Sequence, residues 1–250
     1  MKIAVCIKRV PDTDLRFSIA RDGQSLDQTG LKYDISDFDG YAVEVALRLV
    51  EQQKAGEVVV VSLGPDAVQE TLRKAFSMGA ERGIHLRADT VPFDGMVIAR
   101  ALAAELREGG YDLILFGRMS TDSANGTVGP MVAGLLNLPC VSGISHLDIA
   151  DGRGTARREL EGVAEEVTFP LPAVLTIDEG IARARLPSLK GIMAAKKKAI
   201  DTKPAQLGEA KLTVEKMELP AERAAGRIIG EGADAVPELV RLLQTEAKVL

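Results

Sequence analysis

Three nearly uninterrupted apolar runs constrain this chain most: Ile3-Ala-Val-Cys-Ile7, Val58-Val-Val-Val-Ser62 and Leu113-Ile-Leu-Phe116. A strand with one wet face alternates apolar and polar residues, so a continuous run demands cover on both faces, as in the parallel sheet of an α/β protein. The segments between the runs supply that cover. Val43, Ala46, Leu47 and Val50 recur at helical spacing, as do Val68, Leu72, Ala75 and Phe76 before Gly79. A third helix is expected from Gly95 to Leu106, stopped by Gly109-Gly110, and Gly83 to Leu86 reads as a short fourth strand. Asp39 and Asp66 fit as N-terminal caps or first-turn acids. Strand alternating with helix gives a mostly parallel, doubly wound sheet with right-handed crossovers.

The pattern changes after Cys140. Val141 to Ile149, Thr155 to Leu160 and Val167 to Ile177, broken by Asp151-Gly152-Arg-Gly154, read as antiparallel additions to the sheet. From Asp178 the periodicity fades, returning only between Val236 and Val249, where Leu239, Val240, Leu242 and Leu243 suggest a terminal helix. A long patternless stretch does not suit the interior of a compact domain. The expected organisation is therefore an α/β nucleotide-binding domain over residues 1–180 and an extended C-terminal arm over 181–250 that packs on another subunit. Within the arm, Leu186-Pro-Ser-Leu-Lys-Gly-Ile-Met-Ala-Ala-Lys-Lys-Lys198 sets apolar residues beside a block of positive charge. It reads either as a short helix, about Leu189 to Lys198, with its apolar side packed inward and its lysines solvated, or as a docking segment. Charge runs usually mark a wet face, so the residues alone favour the first.

Composition removes several function classes. The formal charge of −5 and an aromatic content of 4% with no Trp argue against nucleic acid as a partner. Cys6 and Cys140 stand far apart, so no disulfide framework or zinc pattern is present and a reducing compartment is expected. Met1-Lys2 leads directly into the first strand, which leaves no room for a secretory signal, and no apolar run is long enough to span a membrane; a cytoplasmic location follows as an expectation. His85 and His146 lack neighbouring ligand types. Asp148, Asp151, Glu159, Glu161, Glu165 and Glu166 alternate with polar residues around a hairpin, as solvent-facing charges do. Gly230-Glu-Gly-Ala-Asp-Ala235 satisfies a dinucleotide-binding pattern, but only fifteen residues follow it, too few for the unit that pattern needs. Neither a Walker loop nor a set of nucleophile, base and orienter is visible, which argues against an ATP-using ligase or hydrolase.

In an open parallel sheet the ligand crevice lies beyond the carboxyl ends of the strands. The loops there are Lys8-Arg-Val-Pro-Asp-Thr13, Leu63-Gly-Pro65 and the long Gly117-Arg-Met-Ser-Thr-Asp-Ser-Ala-Asn-Gly-Thr-Val-Gly-Pro130. The last is rich in small and hydroxyl residues and opens a helix whose free amides and dipole suit a phosphate. An adenine nucleotide fits that geometry, although plain turns use the same residues. A stand-alone nucleotide-binding module of the universal-stress type shares this sheet and crevice, but has no need of the chain after Asp178.

Over essentially its whole length the sequence resembles the electron-transfer flavoprotein beta-subunit family. The resemblance is carried by Val5-Cys-Ile-Lys-Arg-Val10, Phe38 with Ala42-Val-Glu44 and Ala46-Leu-Arg-Leu49, Val61-Ser62 with Gly64-Pro65, and Gln69-Glu-Thr71. It continues through Met78-Gly-Ala80, Arg82-Gly-Ile-His85, Leu171-Pro-Ala-Val174, and Ile192-Met193 with Lys196-Lys-Lys198. It implies a fold like that of the adenine-nucleotide alpha hydrolases and a non-catalytic electron carrier paired with an alpha subunit. In that family FAD is shared at the interface, a dehydrogenase of the acyl-CoA dehydrogenase type donates electrons and a quinone reductase or other acceptor takes them. Carried over by position, the nucleotide-contacting residues are Cys6, Ser36, Asp37, Phe38, Asp39, Leu63 and Gly117, together with Asp122, Ser123, Asn125, Gly126, Thr127 and Val128. Leu189, with Ile192 and Met193, falls on the partner-recognition element, which turns the reading of that segment toward docking, and Glu159 on an acid at the flavin-side interface. Gly126-Thr-Val-Gly-Pro130 departs from the Asn-Gln-Thr-Gly-Gln of the AMP-binding branch toward the branch with a second FAD, so both nucleotides stay open. Leu189-Lys-Gly191 departs likewise from a Leu-Pro-Asn pattern, which leaves the partner enzyme open.

Overall fold

The computed structural model describes residues 1–222 and 225–250, which fall into two compact units, Met1–Lys216 and Met217–Leu250. The first unit begins with β1 (Lys2–Cys6), β2 (Arg9–Pro11), β3 (Tyr33–Ile35), α1 (Asp37–Gln53), β4 (Glu57–Gly64), α2 (Val68–Met78) and β5 (Arg82–Arg87). It continues through α3 (Gly95–Leu106), β6 (Leu113–Gly117), α4 (Val128–Leu136), β7 (Cys140–Ala150), β8 (Arg153–Leu160), β9 (Val163–Pro170), β10 (Ala173–Ile177), α5 (Leu189–Ala195) and β11 (Ile200–Pro204). Nine strands form one sheet in the order β11-β5-β4-β1-β6-β10-β7-β8-β9, and β2 pairs with β3 in a separate ribbon. The sheet is parallel from β11 to β7 and antiparallel from β7 to β9.

The apolar runs mean what their continuity implies. Ile3, Val5 and Ile7 pack into one buried layer with α1 and α2, while Ala4 and Cys6 pack into the opposite layer with α3 and α4. Leu113 and Leu115 divide from Ile114 and Phe116 in the same way. Local chemistry sets where helices start and stop. The Asp94 carboxylate accepts from the Met96 amide at 2.9 Å and caps α3, and Gly79, at φ 138°, closes α2 by donating to the carbonyls of Ala75 and Phe76. A side-chain cap such as that of Asp94 contributes about 1 kcal/mol.

Three expectations are corrected. Val167 to Ile177 is not one antiparallel segment: β9 ends at Pro170, and β10 is a fully buried strand that runs parallel to both of its neighbours, β6 and β7. Its run Ala-Val-Leu-Thr-Ile belongs with the doubly covered strands. The supposedly patternless chain after Asp178 contributes β11 to the sheet edge, and the compact-unit boundary falls at 216/217 where the sequence suggested 180/181. An edge strand such as Ile200-Asp-Thr-Lys-Pro204 is largely exposed and needs no apolar alternation, so hydrophobic periodicity could not reveal it. Asp66 does not cap α2; its carboxylate pairs with Arg87 at 2.9 Å.

In the second unit a 3₁₀ turn, Ala233–Ala235, enters α6 (Val236–Leu242), followed by a π-helical turn over Leu243–Ala247. Among the described residues no helix is long and apolar enough to cross a membrane.

Leu115 is fully buried on a central strand, so Leu115→Ala is expected to lower stability by about 2–5 kcal/mol in urea unfolding. Leu189 is 84% exposed, and Leu189→Ala is expected to change stability by less than about 0.5 kcal/mol in the same measurement.

Candidate functional site

The carboxyl ends of β1 and β6 meet the first turn of α1 at one buried acid. Asp39 places Oδ2 at 2.7 Å from the Lys8 amide and Oδ1 at 2.9 Å from the Gly117 amide, each accepting the N–H. It sits in the first turn of α1, as expected, but its carboxylate joins two strand ends instead of capping its own helix. A Cβ built on Gly117 would lie 2.5 Å from Asp39 Oδ1 and 2.7 Å from the Asp39 amide nitrogen. Only glycine allows this approach. Burial lifts the Asp39 carboxyl to about 7, against the pull of the two amide bonds and the Lys8 charge. Ser36, also buried, accepts from the Thr121 amide at 3.2 Å and donates its own amide to the Lys8 carbonyl at 3.1 Å. Ser62 Oγ donates to the Ile7 carbonyl at 2.7 Å and brings the end of β4 into the same network. The floor of the crevice is thus closed by hydrogen bonds between elements distant in sequence.

Its rim is the β6–α4 loop. Lys8 Nζ crosses to that loop and donates to Asp122 Oδ1 at 2.7 Å, with Ser120 Oγ at 3.3 Å and Ser123 Oγ at 3.4 Å. Burial pushes the Asp122 carboxyl up, but the Lys8 ammonium and the Ser120 hydroxyl more than offset it, so Asp122 titrates below the usual carboxylate range. Gly126, at φ 62°, turns the chain into α4. Thr127 precedes that helix without a side-chain cap, and Pro130 has no N–H to satisfy. The amides at the start of α4 are therefore open to an acceptor, and their partial positive charge favours an anion. Gly129 brings the helix close to β10, since a Cβ there would lie 2.8 Å from Thr176 Cγ2.

Cys6 and Leu63 are buried at the ends of β1 and β4. Burial, with the Asp39 charge second, raises the Cys6 thiol far above its ordinary range, so it is no nucleophile. Phe38 packs edge-to-face on Tyr41 at 6.0 Å. Asp37, Ser123, Asn125, Gly126 and Thr127 lie in solvent, and Val128 is half-buried. The structure thus joins Asp39 to Gly117 by a direct hydrogen bond, Ser36 to the same network through Lys8 and Thr121, and Asp122 and Ser123 through the Lys8 side chain. Lys8 itself was legible only as part of its loop; an uncompensated lysine directly after a core strand is the signal that could have singled it out. Two surface hollows of about 340 and 400 Å³ border β5 and β11, lined by residues such as Gly83, Ile200, Thr202 and Lys203. They are open grooves along a polar sheet edge; the second adjoins the Leu63-Gly-Pro65 loop, whose Gly64 carbonyl accepts from the Ala88 amide at 3.0 Å.

The electron transfer flavoprotein domain model matches residues 25–207. The chain is 36% identical to the electron transfer flavoprotein subunit beta of Syntrophomonas wolfei over 250 residues, covering 100% of this chain and 98% of that protein. It is 33% identical to the Bacillus subtilis subunit beta over 260 residues, covering 100% of both. The chain belongs to the electron transfer flavoprotein beta-subunit family. To the Homo sapiens member it is 35% identical over 246 residues, 96% of each chain.

In this beta-subunit family member α5 carries Leu189, Ile192 and Met193, which are 84%, 41% and 63% exposed, while Ala195 alone of the helix is buried. The reading with the apolar side packed inward is overturned. Gly191 and Ala195 face the body of the protein, while Ala194 and the large apolar residues stand exposed. Lys196 and Lys197 are exposed, but Lys198 turns inward and donates to the Ala80 carbonyl at 2.6 Å. Glu159 lies on β8, outside the crevice loops, paired with Arg157 at 2.9 Å.

Asp39→Ala strips two backbone donors of their acceptor and is expected to destabilise by about 2–4 kcal/mol in chemical unfolding. The native Asp39 carboxyl titrates near 7 against 3.8 for the free group, so between those values the folded protein holds a proton that the unfolded chain has lost. This contribution is complete below the lower value and fades as pH rises through the upper one. Unfolding of the parent and of Asp39→Asn at both ends of the window is expected to show the parent's relative stability falling as pH rises.

Proposed function

We propose that this chain is the beta subunit of a heterodimeric electron transfer flavoprotein, that it moves electrons without covalent chemistry of its own, and that its crevice holds an adenine nucleotide. The observation that carries this reading is the end-to-end likeness to proteins named electron transfer flavoprotein subunit beta. An alpha subunit is the companion that name implies. In this reading the cytoplasmic heterodimer takes electrons from a flavin dehydrogenase of the acyl-CoA dehydrogenase type and delivers them to a quinone reductase or a similar acceptor. An FAD at the subunit interface supplies the redox chemistry when bound.

The residues of this chain have separable roles. Cys6, Leu63 and the backbone of Ser36 to Asp39 and of Gly117 shape the floor on which an adenosine moiety rests. The amides at the start of α4, with the loop from Asp122 to Val128, offer donors to its phosphate, and Lys8 supplies a cation within reach of that loop. The uncapped helix start fits such a ligand, AMP or a second FAD alike. Glu159 supports the flavin side of the interface with alpha. Leu189, Ile192 and Met193 form an apolar anchor for the dehydrogenase, beside Lys196 and Lys197, whose charges steer encounter while one desolvated side chain fixes position. Redox encounters of this kind use small, weak interfaces.

Nucleotide extraction from the co-purified heterodimer tests the reading. One flavin with one AMP assigns AMP to the crevice, and two flavins assign a second FAD; a chain that never pairs with a flavin-bearing subunit and instead forms an ATP-binding homodimer overturns the proposal. Leu189→Ala is expected to leave flavin content intact while lowering the efficiency of electron transfer from the dehydrogenase. Full burial of this side chain in a partner pocket is worth about 2 kcal/mol, roughly 30-fold. Stopped-flow reduction of the heterodimer reads that change.

A further inference from the structure

The helix that presents Leu189 cannot hold its own shape. It spans seven residues and buries one of them, and helices that short are unstable in water without tertiary support. Its support comes from α2. Arg73, on that helix, points Nη1 at the carbonyls that close α5, with Ala195 O at 2.9 Å, Lys196 O at 3.2 Å and Lys198 O at 3.4 Å. A cation at a helix C-terminus satisfies carbonyls that have no partner within the helix and complements its dipole. Gly191 seats the middle of α5 on α2, for a Cβ there would lie 2.4 Å from the Ser77 carbonyl oxygen. Upstream, Arg185 binds Glu44 at 2.7 Å and Glu51 at 2.6 Å on α1, which fixes the chain entering the segment. Between these anchors Leu186, Leu189 and Met193 stand 91%, 84% and 63% exposed.

We propose that Arg73 is a positioning residue for partner docking: its guanidinium, reaching from α2 to the last carbonyls of α5, holds that helix folded and oriented so that Leu189 is presented to the dehydrogenase. This rests on the docking reading of Leu189 given above. Arg73 lies on α2, outside the crevice loops, and its guanidinium bonds to backbone carbonyls at and just after the end of α5. Its effect passes through the α5 backbone, whereas that of Leu189 is direct contact. The lysine block divides accordingly, with Lys198 among the anchors, its ammonium 5.7 Å from the Phe76 ring, and Lys196 and Lys197 left to the solvent.

The test uses the intact heterodimer carrying Arg73→Met, which keeps the stem and removes the donors, and Arg73→Lys, which restores one charged donor. Gly191→Ala lifts α5 from α2 by an independent route. An acyl-CoA dehydrogenase able to reduce the wild-type heterodimer serves as electron source. A hydrogen bond to a charged group is worth enough to expect roughly tenfold faster amide exchange over residues 189–198 in Arg73→Met. Flavin content and exchange elsewhere should stay unchanged. The apparent KM for the flavoprotein should rise by a similar factor with kcat at saturation retained, Arg73→Lys should recover part of the loss, and Gly191→Ala should reproduce it. Unchanged exchange over 189–198 overturns the proposal, as does faster exchange with an unchanged KM where Leu189→Ala raises it. If Leu189→Ala itself leaves transfer unchanged while exchange in Arg73→Met is faster, the docking reading fails and takes the proposal with it. If Arg73→Met does not assemble, Arg73→Lys and Gly191→Ala decide by the same measurements.

Discussion

Asp39 sets one carboxylate oxygen on the Lys8 amide and the other on the Gly117 amide, and so fixes in one contact the ends of β1 and β6 and the first turn of α1. Removing a carboxylate from water costs several kcal/mol before any partner is counted. Here the partners are two backbone donors and the positive end of a helix, which hold the group without neutralising it. The crevice inherits its geometry from that arrangement. Lys8 leaves the strand where its amide is pinned, and its side chain reaches Asp122 on the opposite rim. Gly117 begins the long loop where its own amide is pinned. The position of α4, and of the amides at its start, follows from those two points.

A second buried acid shows what a matched partner changes. Glu44 is only 4% exposed, yet its carboxyl titrates below the ordinary range: burial pushes it up, and Arg185 and Arg48 pull it further down. Asp39 has no guanidinium, and burial prevails. Both acids belong to α1, and the helix uses them differently. Asp39, at its start, closes the crevice floor with a carboxyl that titrates near neutrality. Glu44, further along, keeps its charge and ties down the chain that leads to α5.

The sequence showed best what depends on local pattern. The runs at Ile3, Val58 and Leu113 identified central strands because both faces of such a strand are apolar. The same property was present in Ala173 to Ile177, but its nearness to the hairpin hid it. β11 was illegible because an edge strand has no buried face to advertise. Asp39 was visible as a helix-start acid, yet its role depends on Lys8 and Gly117, residues that only the tertiary fold brings beside it. In α5 the usual rule is inverted. Gly191 and Ala195 are covered and Leu189 and Met193 exposed, and seven residues contain no periodicity strong enough to say which side faces the protein. The family resemblance marked the segment for docking, but which side faces the protein is set by its tertiary contacts with α2.

Gly117 admits no side chain at all, whereas Ser123, Asn125 and Thr127 stand in solvent on the rim above it. A change at the floor disturbs three secondary-structure elements together; a change at Asn125 on the rim meets little beyond water, where substitutions cost within about 0.5 kcal/mol. The frame of the crevice and its solvent-facing rim are therefore encoded by different residues. Under the proposed nucleotide-binding function, such a crevice is retuned by editing its lip, with the frame beneath left as it stands.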